Sequence, residues 1–331
     1  MRISSPARGV TASVLIAVFC GSCAKHEQPP PAVRLDPVTA IIEALGSHQI
    51  VAFGDWHHNR QLHELRLDLI RDPRFPAAVD DIVVEFGAAQ HQDIIDSYVN
   101  GDDVLYEELR RVWVEAPSAL DPSAWDRPDT VEFFRTVREV NANLPVSERI
   151  RVVAGDAGYE SMNDEAWHIM REVTDLDRTA LIVFGAGHFL RKPLWYPISD
   201  PDWMDYWYDH PLSVSTVAHL EAAGLSVFSI HPFVSDPFQK VQADTATWTM
   251  PALAIVAGTV LGLEPYATFE ATTDTELVVP DAEGEGFHTE RVPPDRDRSG
   301  LTQEQVDAVI LLGPTADMEF VEPVGLPEQH Q

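Results

Sequence analysis

Polar side chains of catalytic type stand at the ends of five short apolar runs. The run "VAFG" is followed by Asp55 and His57, "IVV" by Glu85, "VVAG" by Asp156, "VFGAG" by His188 and "VFSI" by His231. Carboxylates and imidazoles exchange protons with water or substrate near neutral pH, so these residues together could support general acid–base catalysis. Each run has the length and the β-rich composition of a buried strand.

Helical segments alternate with these runs, and this order indicates how the polar side chains are positioned. The predicted helical segments are "RQLHELRLDLIRD", "AAQHQDIIDSYVNG", residues 103–113 and 130–143, "DEAWHIMREVTD" and residues 215–223. The stretch "DAVILLG" is predicted as a last strand. Apolar strands alternating with helices predict an α/β fold, with a mainly parallel central sheet flanked by helices. The carboxyl ends of parallel strands lie at one edge, where ligands bind, so we expect the acids and histidines to converge there.

Glu85 and His63 are the two candidates with a specific physical argument. Glu85 follows three apolar residues, and a buried carboxylate requires a cation, a metal or a proton, which makes it a candidate general base. His63 falls between Leu67 and Ile70 on a helix capped by Asn59, so it faces inward, near the strand ends. The alternative for His63 is a buried histidine that is hydrogen-bonded to a backbone carbonyl.

The remaining polar residues have weaker arguments. Asp156 is equally consistent with a catalytic and with a structural role. We expect His58 to point away from its neighbour His57, and we expect the "HPF" at His231 to form a simple turn. We also expect "ALAIVAGTVLGL" to be a buried segment rather than a membrane helix, and residues 280–300 to form an exposed loop.

Composition and cysteine usage exclude several classes of function. The net charge is −30, from 53 acids and 23 bases, and such a surface repels phosphate backbones, so no nucleic acid partner is expected. The two cysteines, Cys20 and Cys23, both lie near the start of the sequence, so the chain beyond them has no disulfide, thiolate metal cluster or cysteine nucleophile. No G-x-S-x-G motif and no H-E-x-x-H motif occurs.

The first 23 residues, "MRISSPARGVTASVLIAVFCGSC", are typical of a secretory signal. The "CGSC" at their end resembles a bacterial lipobox with Cys23 as the lipidated residue. We therefore expect an exported lipoprotein, anchored to a membrane surface and facing the periplasm or the cell exterior. Plain cleavage to a free product is the alternative. Residues 24–37 are then a Pro-rich tether, and residues 38–325 form a single α/β domain.

An aromatic stretch, "LWYPISDPDWMDYWYDHP", follows the strand that ends at His188. The candidate ligand-binding residues in it are Trp195, Tyr196, Trp203, Tyr206, Trp207 and Tyr208. These rings could form a lid loop over a pocket or cover a flat apolar ligand, and a tyrosinate or histidine there could ligate haem iron. A loop that packs its rings onto the domain is the alternative.

Three motifs occur in an order that resembles one superfamily. "GDWHHNRQLH", "VVEFGAAQHQDIIDSYVNG" and "GAGHF" are similar to motifs of the ChaN haem-binding lipoproteins, the erythromycin esterases and the TIKI-type proteases. The resemblance covers residues 45–235 and places His57, His63, Glu85 and His188 at the matched positions. Asp55 stands where the family has Glu, so its carboxylate is one methylene shorter.

The resemblance implies two classes of function. The first is a hydrolase of an ester or amide bond in a small-molecule or peptide substrate. In it His57 and Glu85 activate a water, Asp55 orients His57, and His188 and His63 stabilise the oxyanion or assist proton transfer. A variant places zinc or manganese on His57, His63, Glu85 and His188. The second class is a lipoprotein that binds haem or another planar ligand. The sequence indicates no oligomeric state.

Overall fold

The computed structural model describes residues 28–117, 124–158, 162–192, 194, 215–270, 276–280, 287–291 and 294–323. The signal segment with Cys23 lies outside these ranges, and so does the aromatic stretch from Trp195 to Tyr208. The predictions of a lipid anchor, of an aromatic lid loop and of ring contacts to a ligand therefore stay predictions. In the described part of the chain, no helix is both long enough and apolar enough to cross a membrane.

Seven described strands form one mostly parallel sheet. They are β1 (Ile50–Asp55), β2 (Asp81–Ala88), β3 (Arg151–Asp156), β4 (Ala180–Gly185), β5 (Val227–Phe233), β6 (Ala252–Ile255) and β9 (Ala308–Leu311). Their order is β3-β2-β4-β1-β5-β9-β6, and every neighbouring pair is parallel except β6 with β9. The predicted α/β class with a mainly parallel sheet is confirmed.

Helices lie between the strands as the sequence predicts. The α-helices are α1 (Pro37–Leu45), α2 (Arg60–Arg71), α3 (Gln92–Asn100), α4 (Tyr106–Val114), α5 (Pro128–Asn141), α6 (Met162–Glu172), α7 (Thr216–Ala222), α8 (Asp236–Val241), α9 (Ala267–Glu270) and α10 (Thr302–Gln305). Short 3-10 helices cover Phe75–Ala77, Ala89–His91, Val146–Glu148, Thr174–Leu176, Ala186–Phe189, Ala243–Thr247 and Thr315–Asp317. Asn59 caps α2 as expected, because its Oδ1 accepts from the Leu62 N–H at 2.9 Å.

Both faces of the sheet are covered, and the alternation of side chains along β1 shows how. Val51 and Phe53 pack into a core with α1 to α5, whereas Ile50 and Ala52 pack into a second core with α6 and α7. A strand that is buried on both faces must be apolar at nearly every position, which explains the continuous apolar runs in the sequence.

Residues 280–300 do not form one exposed loop. Phe287–Arg291 is a strand, β8, and it pairs antiparallel with β7 (Glu276–Pro280) in a two-stranded sheet. The Gly and acidic residues between these two strands have the composition of a turn. The loop prediction was wrong because this turn-like composition does not extend to Phe287–Arg291, which pairs with β7.

The predicted Pro-rich tether is packed against the domain over its second half. Ala32 is buried, and the Gln242 side chain exchanges two hydrogen bonds with its backbone, at 2.8 and 2.9 Å. Leu35 forms an antiparallel bridge with Leu253 of β6. A free tether therefore extends no further than the residues before Pro30, whose carbonyl accepts from the Val260 N–H at 3.0 Å. The segment "ALAIVAGTVLGL" begins as β6, and its first residues are buried as expected.

Candidate active site

Three neighbouring strands bring two histidines to one carboxylate: His57 and His188 follow the ends of β1 and β4, and Glu85 lies inside β2. His57 Nε2 lies 3.8 Å from Glu85 Oε2, and His188 Nε2 lies 3.6 Å from Glu85 Oε1. The Gly185 N–H at the end of β4 donates to Glu85 Oε2 at 2.6 Å. Because β1, β4 and β2 are adjacent in the sheet, residues far apart in sequence meet at their carboxyl ends.

The alternation of each strand fixes the direction of these side chains. Asp55 continues the row of Val51 and Phe53, so it faces α2. Glu85 continues the row of Val83, so it faces the side of the sheet that α6 covers. The two carboxylates therefore leave the sheet on opposite faces, and they are connected through the imidazole beyond the end of β1.

Asp55 holds His57 and is itself held by a buried cation. His57 Nδ1 lies 3.1 Å from Asp55 Oδ2, and the Arg66 guanidinium of α2 donates to Asp55 Oδ1 at 3.3 Å. Burial alone would raise the pKa of Asp55, but Arg66 and His57 outweigh it and lower the pKa to about 2. An ionised carboxylate only accepts, so His57 donates through Nδ1–H, and its Nε2 is the atom directed to Glu85.

The same carboxylate affects the basicity of His57. Burial by itself would lower the pKa of His57, but the hydrogen bond and charge of Asp55, together with the charge of Glu85, raise it above the ordinary value. The nearby His188 acts in the opposite direction without reversing the result. His57 is therefore a stronger base than a free histidine.

His188 is held by a second carboxylate in the same way. Its Nδ1 lies 3.0 Å from Glu165 Oε2, in the first turn of α6, and the Thr216 hydroxyl also donates to Glu165. Burial alone would lower the pKa of His188, but the charge and hydrogen bond of Glu165, with the charge of Glu85, raise it to about 9. His188 is therefore a cation at neutral pH.

The cluster is open to solvent on the side of His57. The exposed fraction of the side chain is 39% for His57, compared with 13% for Glu85 and 22% for His188. The buried Trp125 ring stands edge-to-face with the imidazole of His57, with centroids 4.7 Å apart at 88°. A Cβ at Gly185 would lie 3.0 Å from His57 Nε2, so a side chain at this position would displace the imidazole.

His63 faces inward as predicted but is not part of the Glu85 cluster. Its Nδ1 lies 3.3 Å from Arg66 Nη2, and its Nε2 lies 3.3 Å from Glu132 Oε2 on α5. Burial and the Arg66 charge lower the pKa of His63. The predicted role of His63 in stabilising an oxyanion is therefore corrected, since Arg66 and Asp55 separate it from His57.

The predicted zinc or manganese site is not supported by the geometry. Among the described residues, no three or more His, Cys, Asp or Glu side chains are grouped so that they could hold a metal ion. The proposed set of His57, His63, Glu85 and His188 fails because His63 is directed to Arg66 and α5. The candidate haem ligands Tyr206 and Tyr208 lie outside the described residues.

Two further strand-end candidates, Asp156 and His231, have described contacts outside the Glu85 cluster. Asp156 Oδ1 accepts from the Gly158 N–H at 3.0 Å, so this carboxylate holds the loop that follows β3. None of the contacts between described residues joins Asp156 to the cluster. His231 is buried against Phe233 and Tyr266, and burial lowers its pKa to about 3. The prediction of a simple turn at His231 is wrong, because this residue lies inside β5.

His58 does not point away from His57, contrary to expectation. Its φ is +62°, a left-handed conformation in which side chains no longer alternate as in a strand. Both imidazoles consequently pack against Trp125, with the centroid of the His58 ring 5.6 Å away. His58 Nδ1 lies 3.2 Å from Asp129 Oδ2.

Sequence reasoning missed Arg66, Glu165 and Trp125. A signal was present for the first two, because each is a charged residue on the apolar face of a helix. Arg66 lies between His63 and Ile70 at helical spacing, and Glu165 lies four residues before the buried Ile169. No comparable pattern marks Trp125.

This chain is similar to solved structures at low sequence identity. No family model and no curated protein matches it. A Bacillus cereus protein solved as a structural-genomics target is similar with a TM-score of 0.51 and 10% identity, over 91% of this chain and 97% of that chain. A succinoglycan biosynthesis protein gives a TM-score of 0.47 and 7% identity, over 88% and 95% of the two chains. ChaN of Campylobacter jejuni, with cofacially bound haem, gives 0.32 and 9%, over 60% and 86%.

The likeness to the Bacillus cereus protein concerns the fold alone. The Bacillus cereus protein shares the α/β architecture over nearly its whole length. Identities of 10% or less carry no assignment of activity or ligand to this chain. The resemblance to the ChaN, erythromycin esterase and TIKI superfamily stays a prediction that is based on the sequence motifs.

Proposed function

We propose that this protein is a hydrolase in which His57 and Glu85 activate a water molecule to attack an ester or amide bond. The observation that carries the proposal is the Glu85 carboxylate between the Nε2 atoms of His57 and His188. Each imidazole is anchored through Nδ1 by its own carboxylate. A site in which one imidazole acts as a base and a second imidazole stays a cation, each held by its own carboxylate, is suited to general acid–base chemistry.

His57 is the proton acceptor in this proposal. Because Asp55 accepts from Nδ1–H, the lone pair of neutral His57 is on Nε2, the side of the ring that faces the cluster. His57 takes a proton from water as the water oxygen bonds to the carbonyl carbon. The adjacent Glu85 charge stabilises the imidazolium that results. The proton then passes to the leaving oxygen or nitrogen as its bond to the carbon breaks.

His188 stabilises the negative charge that develops on the carbonyl oxygen. Its pKa of about 9 keeps it protonated through the neutral range, and Glu165 fixes the ring orientation. A fixed cation in a partly buried site requires little reorganisation during the reaction, which makes its effect larger than in water. Losing one donor of this kind lowers kcat by about 10² to 10³.

The substrate we propose is a small molecule or a peptide, and it is neutral or cationic. Asp55, Glu85 and Glu165 line or support the site, and the whole chain carries −30. This field disfavours anionic substrates. The exported, lipid-anchored location through Cys23 belongs to the same proposal and is supported by the composition of residues 1–23. Incorporation of labelled lipid that is lost in Cys23→Ser tests that location.

The experiment that tests the proposal compares Glu85→Gln with Glu107→Gln on a panel of chromogenic esters and fluorogenic peptide amides. Glu107 is exposed on α4, so its replacement by the isosteric amide controls for the loss of one charge. We expect hydrolysis by the wild type and by Glu107→Gln, and a loss of at least about 10² in kcat in Glu85→Gln. Equal rates in the two variants would refute the role of Glu85.

Haem or planar-ligand binding is the alternative from the sequence resemblance, and the same sample tests it. Purified protein with a Soret band that is lost in Tyr206→Phe or Tyr208→Phe would favour binding over catalysis. Colourless protein that hydrolyses esters would favour the hydrolase. The fold likeness to Campylobacter jejuni ChaN, with a TM-score of 0.32, does not decide between them.

A further inference from the structure

The chain after β9 returns across the turn that joins β1 to α2. We call residues 317–321 of this segment the strap. The Arg60 N–H donates to the Glu319 carbonyl at 2.8 Å, and the Val321 N–H donates to the His58 carbonyl at 2.8 Å. The strap thus pairs with the turn like a short antiparallel strand.

Side chains add to this backbone pairing. Gln61 Nε2 donates to the Asp317 carbonyl at 2.5 Å, and Gln61 Oε1 accepts from the Glu319 N–H at 3.3 Å. The Phe320 ring packs edge-to-face against Trp56, with centroids 5.4 Å apart at 78°. Phe320 is 44% exposed, so its main packing partner is the turn rather than a core. These contacts are distributed over the whole turn.

The strap holds the turn at its strained residue. The carbonyl bound by Val321 belongs to His58, whose φ of +62° is uncommon for a residue with a side chain. Such conformations persist where the surroundings fix them, and they occur often at functional sites. On the far side of the strap, Arg127 Nη1 donates to the Val321 carbonyl at 2.5 Å, which ties the strap to α5. Asp129, also on α5, holds the His58 ring.

We propose that the strap, and Phe320 in particular, positions His57 for catalysis by fixing the turn that carries it. His57 is the most exposed member of the Glu85 cluster. Its side chain contacts Asp55 at 3.1 Å, Glu85 at 3.8 Å and the ring of Trp125. Its backbone has no helix or strand around it, because β1 ends at Asp55 and α2 begins at Arg60. The strap supplies the missing constraint. The catalytic part of this inference rests on the proposed hydrolase function.

The test uses Phe320→Ala in the full chain, with Phe320→Tyr as the conservative variant and Leu263→Ala as the control. Leu263 is 42% exposed, similar to Phe320, and lies outside the strap and the turn. The first readout is independent of activity. It is the downfield Nδ1–H resonance of His57 in protein labelled with ¹⁵N-histidine, with the corresponding resonance of His188 as an internal reference. The second readout is kcat and KM on the best ester substrate.

In Phe320→Ala we expect faster exchange or loss of the His57 resonance, an unchanged His188 resonance, and kcat lowered about tenfold or more. Phe320→Tyr and Leu263→Ala should keep the His57 resonance and the kcat of the wild type. Unchanged His57 signals, or equal loss of the His57 and His188 signals, would overturn the proposal. If Phe320→Ala does not fold, Gln61→Ala removes two strap bonds with a smaller change and is judged by the same criteria. A wild type without hydrolysis refutes the proposed function, while the resonances still decide whether the strap fixes His57.

Discussion

Replacement of Glu165 by Gln tests the reason why His188 is a cation. Glu165 lies 3.0 Å from His188 Nδ1 and is the first contributor to its raised pKa, followed by Glu85 at 3.6 Å from Nε2. Glutamine keeps the size and a hydrogen-bond acceptor but removes the charge. The orientation of the His188 ring should therefore persist while the stabilisation of its proton is lost.

The expected size of the effect follows from the pKa of His188. The pKa of His188 rises from 6.5 to about 9, a difference of about 2.5, which corresponds to about 3 kcal/mol. A raised pKa stabilises the folded state below the unfolded value of 6.5, and this contribution disappears as the pH rises through about 9. Removing one close opposite charge lowers a pKa by about 1 to 3 units. In Glu165→Gln we therefore expect the pKa of His188 to fall well below its wild-type value of about 9.

The assay is an NMR titration of the His188 ring, with assignment by a His188→Asn variant and Glu107→Gln as the charge control. The wild type and Glu107→Gln should titrate near 9, and Glu165→Gln should titrate well below that. The alkaline limb of the pH profile of kcat/KM should shift by the same amount as the pKa of His188. A His188 pKa that stays near 9 in Glu165→Gln, or that lies near 6.5 in the wild type, would refute the electrostatic reasoning.

Three further predictions follow from contacts in the site. Gly185→Ala should abolish hydrolysis while Gly187→Ala keeps it, because a Cβ would lie 3.0 Å from His57 Nε2 at the first position and meet nothing within 4 Å at the second. Similar rates for the two would contradict the geometry. Asp55→Asn should lower the free energy of unfolding by about 3 to 5 kcal/mol in urea titrations, because it leaves the buried Arg66 unpaired; a loss below about 1 kcal/mol would contradict this. Because the pKa of Asp55 is lowered to about 2, its carboxylate stabilises the folded state fully above pH 3.8, and this contribution is lost as the pH falls through 2. Between pH 3.8 and 2 the urea midpoint of the wild type should therefore fall more than that of Asp55→Asn.

The sheet and the residues at its carboxyl edge could be predicted from the sequence. Apolar runs that alternate with helical segments define parallel strands, and parallel strands must place Asp55, Glu85 and His188 at one edge. Which face each side chain takes also follows from alternation. The inward direction of His63 followed from helical spacing and is confirmed by its burial.

The partners of these residues could not be predicted, because they depend on how helices pack across the sheet. Arg66 and Glu165 reach the site from helices on opposite faces, and sequence spacing does not fix that packing. The direction of the His58 side chain was predicted wrongly because the residue has a left-handed backbone conformation and contacts the distant residues Asp129 and Val321, which sequence alternation does not indicate. His63 lies beside Arg66 because residues three apart on a helix are neighbours. The packing of α5 against α2 places Glu132 at its Nε2, and sequence spacing does not indicate that partner.

A crystal structure with a phosphonate ester bound tests the central claim most directly, since the tetrahedral phosphonate mimics the intermediate of water attack. The account predicts a phosphonyl oxygen within about 3 Å of His188 Nε2 and another oxygen facing His57 Nε2 and Glu85. A phosphorus atom covalently attached to a serine or threonine oxygen, or an inhibitor bound away from these three residues, would contradict it.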